Sequence, residues 1–560
     1  MRWLRGLLFF FAIGVCLGAD NDWWRTAVIY EVYPRSFGDS NGDGVGDLNG
    51  ITEHLDYLKD LGVDAIWITP FYPSPQVDFG YDISDYRAID SQFGTMADFD
   101  RLMAEAKKRN IRVINDLVLN HTSDQHPWFI ESKSSRTNPK ANWYIWHDPK
   151  PGGGPPNNWQ SIFGHSAWQY EDSRKQYYYH AFYKQQPDLN WRDNDVRKAM
   201  YDVMRFWMDK GVAGFRLDAI TSLFEDLALK DEPYLAGMNA YGDRNISRIY
   251  TDNLPEVHDV LRDLRKVVNQ YPGRVLIGEV YLPNVGELAK MYGRNRDELQ
   301  LPMDTKLGFY NHLSVPVFRS NLSDPETKIN GNVPLLVFSN HDNPRAINRF
   351  GDGTHDAAIA RLLATLLLTP RDAALIYYGE EIGMVTTPPK RKEDVRDPVG
   401  KLGWPKDKGR DGERTPMQWN GKVNAGFSTA KQTWLPVAPD YKSVNVAVEE
   451  QKPDSLLNYY KALIRLRKEN PQLRTGDFVL VDTANANVLS YIRKTNDGQA
   501  VLVSLNFTPD PQTVSIDLDQ ERIKGTHLKK LIASYSAGQG VGLHEMNLPA
   551  YGSFVGQVEP

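Results

Sequence analysis

From residue 27 to about residue 379, short apolar runs alternate with stretches whose hydrophobic residues recur at helical spacing. The runs are AVIYEVYP (27–34), AIWITP (65–70), IRVINDLVLNH (111–121), GFRLDAI (214–220), RVLIGEVY (274–281), VPLLVFSNHD (333–342) and DAALIYYGEE (372–381). The helical stretches include ITEHLDYLKDLG (51–62), MADFDRLMAEAKKRN (96–110) and DAAIARLLATLLL (356–368). Near-continuous apolar runs belong to strands covered on both faces, and helices between them make the sheet parallel. The unit recurs about eight times, which predicts an α/β fold closed as a (β/α)8 TIM barrel. An open doubly wound sheet would want a glycine-rich phosphate turn after the first strand, and none is present.

Two intervals break the rhythm. Residues 121–190 hold Pro, Gly, Asn and rings without regular alternation, which predicts a small domain inserted after strand three rather than bare loop. Beyond residue 475 the runs FVLVDT, VLSYIRK, AVLVSLNFT and QTVSIDL are short, β-type and separated by turn residues. They predict a C-terminal antiparallel β-sandwich over 475–560, leaving 20–120 and 191–474 for the barrel. Residues 1–19 read as a secretory signal: Arg2 and Arg5, an apolar run from Gly6 to Leu17, then Gly18 and Ala19. A secreted or periplasmic protein is expected. No later stretch reaches the ~18 apolar residues of a membrane span.

Composition narrows the function. With 65 basic and 71 acidic residues the net charge is −6, and no basic stripe suggests a nucleic-acid partner. Most of the 14 Trp, 28 Tyr and 22 Phe must be core, but such rings also suit the apolar faces of a small sugar substrate. Cys16, the single cysteine, falls inside the signal and excludes an intrachain disulfide. The oligomeric state is not legible.

In a barrel, polar residues that close each strand converge on one mouth. Here they are Asp116, Asn120 and His121 after strand three, Arg216 and Asp218 on strand four, Glu279 after strand five, and His341 and Asp342 after strand seven. Retaining glycoside cleavage needs an ionised carboxylate nucleophile and a protonated acid ~5 Å away. Asp218 lies two residues from Arg216, so both project to one face, and the guanidinium is expected to keep Asp218 ionised. Glu279, near other carboxylates, suits the proton donor. Asp342 is better used on sugar hydroxyls and on positive charge at the anomeric carbon. No HxxxH or HxH pairing supports zinc chemistry.

At these residues the chain resembles the α-amylase family of glycoside hydrolases, in its α-glucosidase and oligo-1,6-glucosidase branch. DLVLNH (116–121), GFRLDAI (214–220), IGEVY (277–281) and FSNHDNPR (338–345) match in the family's order. QPDLN (186–190), GDGVGDLNGI (42–51), DFGYDISDY (78–86) and GERTPMQW (412–419) match as well. The resemblance implies Asp218 as nucleophile, Glu279 as acid/base and Asp342 as transition-state stabiliser. It implies Arg216, His121 and His341 as residues holding the glucose, with Tyr81 as its stacking platform. Asp78 and Arg414 match a pair closing the pocket, which makes attack exo. Phe163 and Phe182 look like aromatic walls of the entrance. Ala219 matches the position that separates linkages, where a small residue goes with α-1,4 and valine with α-1,6 preference. The reading is a retaining α-glucosidase acting on maltose-type substrates. A transglycosylating isomerase or an oligo-1,6-glucosidase on the same site is the alternative.

DSNGDGVGD (39–47) spaces Asp39, Asn41, Asp43, the Val45 carbonyl and Asp47 as in an EF-hand loop, without its terminal glutamate. The resemblance supports structural Ca2+ there; no organic cofactor is expected. Glycosylation sequons begin at Asn120, Asn245, Asn321 and Asn506.

Overall fold

The computed structural model describes residues 21–518 and 523–560; the expected signal at 1–19, Cys16 included, lies outside them. Eight parallel strands close into a barrel: β1 (Val28–Val32), β2 (Ala65–Ile68), β3 (Arg112–Val118), β4 (Gly214–Asp218), β5 (Val275–Gly278), β6 (Leu301–Asp304), β7 (Leu335–Val337) and β8 (Ala373–Tyr377). Each pairs with its sequence neighbours, and β1 closes on β8 through Ile29 opposite Leu375. β6 was not anticipated, because Pro302 and Asp304 interrupt its apolar run.

Alternation along the strands explains the placement of the chemistry. Val28, Tyr30 and Val32 of β1 pack outward against helices, whereas Ile29 joins an interior layer with Ala65, Trp67, Ile114, Val275, Ile277, Leu335 and Leu375. Trp23 and Trp24 belong to this interior layer. Two residues further along the same faces stand Glu31, Asp116, Arg216 and Glu279, one pleat above the apolar layer. The outer helices are conventional amphipathic ones. Met96–Lys108, for example, starts at a Thr95–Asp98 capping box, ends in Lys107 and Lys108, and buries Phe99, Leu102 and Ala106.

Between β3 and β4 the inserted segment forms a three-stranded antiparallel sheet (Trp146–His147, Gln176–Tyr179, Trp168–Glu171) over its own apolar cluster of Ile145, Trp159, Trp168, Tyr179 and Ala181. A hairpin after β4, Tyr234–Met238 with Arg244–Ile246, docks on this insert through Gln160, His165 and Arg248. At the C-terminus a six-stranded antiparallel sheet and the smaller sheet Gln512–Val514 with Met546–Leu548 share a cluster containing Leu502, Val514, Leu528, Met546 and Phe554. This is the expected β-sandwich, with unequal sheets. It contacts the barrel through Arg493, whose Nη1 donates to the Thr369 carbonyl at 3.0 Å. Among the described residues no helix is long and apolar enough to cross a membrane.

β4 must lie close to β5 for its side chains to meet Glu279, and Gly214 permits this. A Cβ there would fall 2.0 Å from the Val275 carbonyl oxygen, a backbone atom that cannot step aside. Gly214→Ala is expected to destabilise the fold by about 3 kcal/mol, read as a lowered denaturation midpoint at unchanged m-value.

Candidate active site

A cavity of about 600 Å³ opens at the carboxyl ends of the strands. Asp218, Ala219 and Glu279 line its floor, with Asp78, Tyr81, His121, Asp342, Phe163 and Phe182 around them. Nine of the twelve residues expected to act on a sugar therefore share one surface. Arg216, His341 and Arg414 do not line it. All three are fully buried and lie behind the lining.

Arg216 organises the floor. Its Nη1 donates to Asp218 Oδ1 at 2.6 Å and to Asp116 Oδ1 at 3.0 Å, and its Nη2 pairs with Glu279 Oε1 at 2.7 Å. Trp67 and Tyr81 complete the shell of Asp116, donating to Oδ2 at 3.1 and 3.0 Å. One guanidinium is thus divided among three carboxyl groups. Burial pushes Asp218 well above the ordinary carboxylate range; Arg216 opposes this, and Glu279 and Asp116 add to it. Burial likewise pushes Asp116 up to about 6 against the pull of Arg216. The guanidinium expected to keep Asp218 ionised does act in that direction, but it is shared with Asp116 and Glu279.

Glu279 is held at both oxygens. Tyr281 Oη donates to Oε1 at 3.0 Å and the Ala219 N–H donates to Oε2 at 2.9 Å. Ala219 reaches it in a left-handed conformation, φ +44° and ψ +39°. That conformation costs roughly 1–2 kcal/mol in a residue other than glycine, a strain characteristic of functional sites.

The far end of the cavity is closed by a second cation. Arg410 Nη2 donates to Asp78 Oδ1 at 2.7 Å, its Nη1 to Asp342 Oδ1 at 3.0 Å and its Nε to Asp397 Oδ2 at 2.9 Å. The partner of Asp78 is thus Arg410 and not Arg414. Arg414 instead donates from Nη2 to Asp342 Oδ1 at 2.8 Å and from Nε to the His341 carbonyl at 2.7 Å. Burial acts to raise Asp342, but Arg410 and Arg414 oppose it, and the carboxyl is held well below its usual range. Asp78, buried with Arg410 as its strongest opposing influence, is raised.

Gln186, within a quoted motif but assigned no role, bridges His121 Nε2 at 3.0 Å and Asp78 Oδ2 at 3.2 Å. Burial pulls His121 down to about 3, so its ring is neutral. The insert's Phe163 lies under the Arg410 guanidinium at 5.4 Å, and Phe182 stands against His121 with ring centroids 5.1 Å apart. At the mouth, Tyr281 and Phe309 form an exposed edge-to-face pair at 5.5 Å. Only its position two residues beyond Glu279 could have flagged Tyr281. Arg410 sits just before a quoted motif, in a loop without periodicity.

The Asp39–Asp47 loop is a chain of Asx turns. Asp39 accepts from the Gly42 and Gly44 amides, Asn41 from Asp43, and Asp43 from Val45, at 2.7–2.9 Å. Gly44 needs φ +95° there, and a Cβ would meet the Gln432 carbonyl at 2.3 Å. Asp47 accepts from Ser40 Oγ at 2.8 Å and caps the helix Leu48–Glu53 through Gly50 N at 2.7 Å. Among the described residues no group of three or more His, Cys, Asp or Glu side chains is arranged to hold a metal. A cation here would also need the Asn41 amide and the Val45 carbonyl. These are hard oxygen donors, whose chemistry fits calcium. Three sequons are unusable in the fold: Asn120, Asn321 and Asn506 are buried, leaving Asn245 on the hairpin.

Comparison with known proteins matches these observations. The family described as "Alpha amylase, catalytic domain" matches residues 31–476, and "Maltogenic Amylase, C-terminal domain" matches 478–555. A protein of Rhizobium meliloti (strain 1021) named "Probable alpha-glucosidase" is 42% identical over 552 residues, covering 96% of this chain and 97% of its own. An oligo-1,6-glucosidase of Heyndrickxia coagulans is 41% identical, covering 90% and 95%. The crystal structure of the trehalulose synthase MutB from Pseudomonas mesoacidophila MX-45 superposes with a TM-score of 0.87 at 37% identity, covering 96% and 99%.

The Arg410 network generates a test. In the fold Asp397 is held at about 2: burial opposes ionisation, and Arg410 overcomes it. A depressed carboxylate contributes stability above its unfolded value of ~3.9 and loses it as pH falls through the folded value. Arg410→Met is therefore expected to cost about 3–5 kcal/mol at neutral pH. The deficit should shrink as pH falls from about 4 toward 2, measured by denaturant unfolding of both proteins across that range.

Proposed function

Since the chain belongs to the α-amylase family of glycoside hydrolases, we propose that it is an exo-acting retaining α-glucosidase that releases terminal α-1,4-linked glucose from maltose and short malto-oligosaccharides. The observation that carries the reading is the closed end of the cavity. The Asp78–Arg410 pair, 2.7 Å apart with both residues lining the cavity, supports a stop beyond the terminal sugar of a chain end.

In this mechanism Glu279 passes its proton to the glycosidic oxygen while Asp218 Oδ attacks the anomeric carbon. The bond to the aglycone breaks and a β-linked glucosyl ester forms on Asp218. Glu279, now a carboxylate, takes a proton from water as that water attacks the same carbon, and glucose leaves in the α configuration. Asp218 and Glu279 sit on the two amino nitrogens of one guanidinium, which brings the two carboxyl groups to one side of the cavity. Asp342, kept ionised by two arginines, faces the positive charge that develops at the anomeric centre.

Ala219 supports the α-1,4 assignment, because its methyl leaves room on the aglycone side. The exposed Tyr281–Phe309 pair favours a second reading. It could retain an acceptor sugar at the mouth, and transfer or isomerisation would then compete with hydrolysis, as in a trehalulose synthase. The Arg2 and Arg5 leader supports export. The Asp39–Asp47 loop supports a structural calcium ion held by Asp39, Asn41, Asp43, Val45 and Asp47, which would neutralise their charge and brace the loop.

Maltose should be cleaved with a higher kcat/KM than isomaltose, with α-glucose as first product. Asp218→Asn should lose at least about 10⁴-fold in kcat at unchanged Tm. A reversed ratio, or an active variant, would overturn the assignment. Chelation should lower Tm if calcium is bound; an unchanged Tm with no metal by elemental analysis would remove the ion.

A further inference from the structure

Glu31 lies on the interior face of β1, two residues beyond Ile29, and is completely buried. Its Oε1 stands 2.6 Å from His341 Nδ1 and 3.2 Å from the His341 backbone nitrogen, while Oε2 has no hydrogen-bond partner. Among the described residues neither arginine nor lysine pairs with it; the cations of the site are engaged elsewhere. Arg216 serves Asp116, Asp218 and Glu279, and Arg410 and Arg414 serve Asp78, Asp342 and Asp397. Three arginines thus face those six carboxyl groups before Glu31 is counted. A negative charge on Glu31 would have no arginine or lysine of its own as counter-ion.

The opposite edge of the imidazole decides where hydrogens sit. Tyr81 Oη lies 3.0 Å from Asp116 Oδ2 and 2.7 Å from His341 Nε2. A phenol has one hydrogen to give, and Asp116 is the acceptor-only partner beside Arg216. The 2.7 Å contact then requires a hydrogen on Nε2, since two lone pairs at that distance repel. Asp342 Oδ2, 3.3 Å from Nε2, is a second acceptor for the same hydrogen. Burial holds the imidazole well below its usual pKa, with Arg414, Arg216 and Arg410 acting the same way against Asp342, so one ring hydrogen is all it carries. Nδ1 is then a lone pair, and a carboxylate facing a lone pair at 2.6 Å would be repelled.

We propose that Glu31 is a positioning residue that carries a proton and donates it to His341 Nδ1, fixing the imidazole in the tautomer whose Nε2–H points to Tyr81 and Asp342. Burial supports this by raising Glu31 well above the carboxylate range, with Arg216 opposing and Asp342 and Asp116 adding to it. The hydrogens then run one way, from Glu31 through His341 and Tyr81 to Asp116, and end on the carboxylate that shares Arg216 with Asp218 and Glu279. A buried neutral acid serves as a fixed donor, as a carboxamide would.

The activity readout rests on the glucosidase reading; the tautomer does not. In the full chain, Glu31→Gln supplies an N–H of similar reach, whereas Glu31→Met fills the space without a donor. Glu31→Gln is expected to keep kcat/KM on maltose within about threefold of wild type, with an unchanged pH profile, and Glu31→Met to lose about 10–100-fold. Ring ¹⁵N shifts of His341, assigned by their loss in His341→Gln, should show a lone pair on Nδ1 and a proton on Nε2 in wild type and Glu31→Gln. The proposal is overturned if Glu31→Gln is as impaired as a folded Glu31→Met, if Glu31→Met is unimpaired, or if wild-type Nδ1 is protonated. Should Glu31→Met fail to fold, Glu31→Gln and the shifts decide. If the wild type cleaves no glucoside the functional reading fails, and the shifts alone still test the tautomer.

Discussion

The buried guanidinium of Arg216 is the constraint around which the mouth of the barrel is built. It meets Asp218, Asp116 and Glu279 within 2.6–3.0 Å and is itself without solvent exposure. Two unit charges 4 Å apart interact by about 4 kcal/mol at an effective dielectric near 20. Burial and the neighbouring carboxyl groups act against that cation, and Asp218 and Asp116 are both raised in spite of it. Pleat periodicity brings this about, because Arg216 and Asp218 are two residues apart on one face of β4, and Asp116 and Glu279 lead the neighbouring strands. A single register slip of β4 would turn both side chains into the helix layer.

A second cation, Arg410, does for the far wall what Arg216 does for the floor, with a different outcome. There two arginines answer Asp342, and that carboxyl is driven toward permanent ionisation. The floor and the wall are thus two electrostatic regimes a few ångströms apart, one short of positive charge and the other well supplied. Divergent environments of this kind let chemically identical groups take distinct roles.

Much of this was legible in the sequence. Seven of the eight barrel strands announced themselves as apolar runs, because strands covered on both faces cannot hide polar residues until the mouth is reached. Pro302 and Asp304 concealed β6, because they interrupt its apolar run. The residues at strand ends could be found by their regular place in the βα unit, which is why Asp218, Glu279 and Asp342 were identifiable. Arg410 and Gln186 had no such signal. Their positions come from loops, and a loop residue's partner depends on where two distant segments meet. Assigning Arg414 to Asp78 placed the cation four residues too late along one such loop. Tyr281 and Glu31 do lie near strand positions, but their significance is in hydrogen-bond geometry, which spacing does not report.

The separations along the chain carry a further consequence. Arg410 grips Asp78 across 332 residues, and His341 meets Glu31 across 310. Closing a loop of that length must precede either contact, so a chain still short of residue 410 during synthesis lacks the cation that answers Asp78. The mouth is therefore complete only when β1 and β8 have joined. A sugar that binds it stabilises the closed barrel as a whole, by mass action on folded molecules alone, and sugar affinity doubles as a gauge of whether the entire circle of strands has formed.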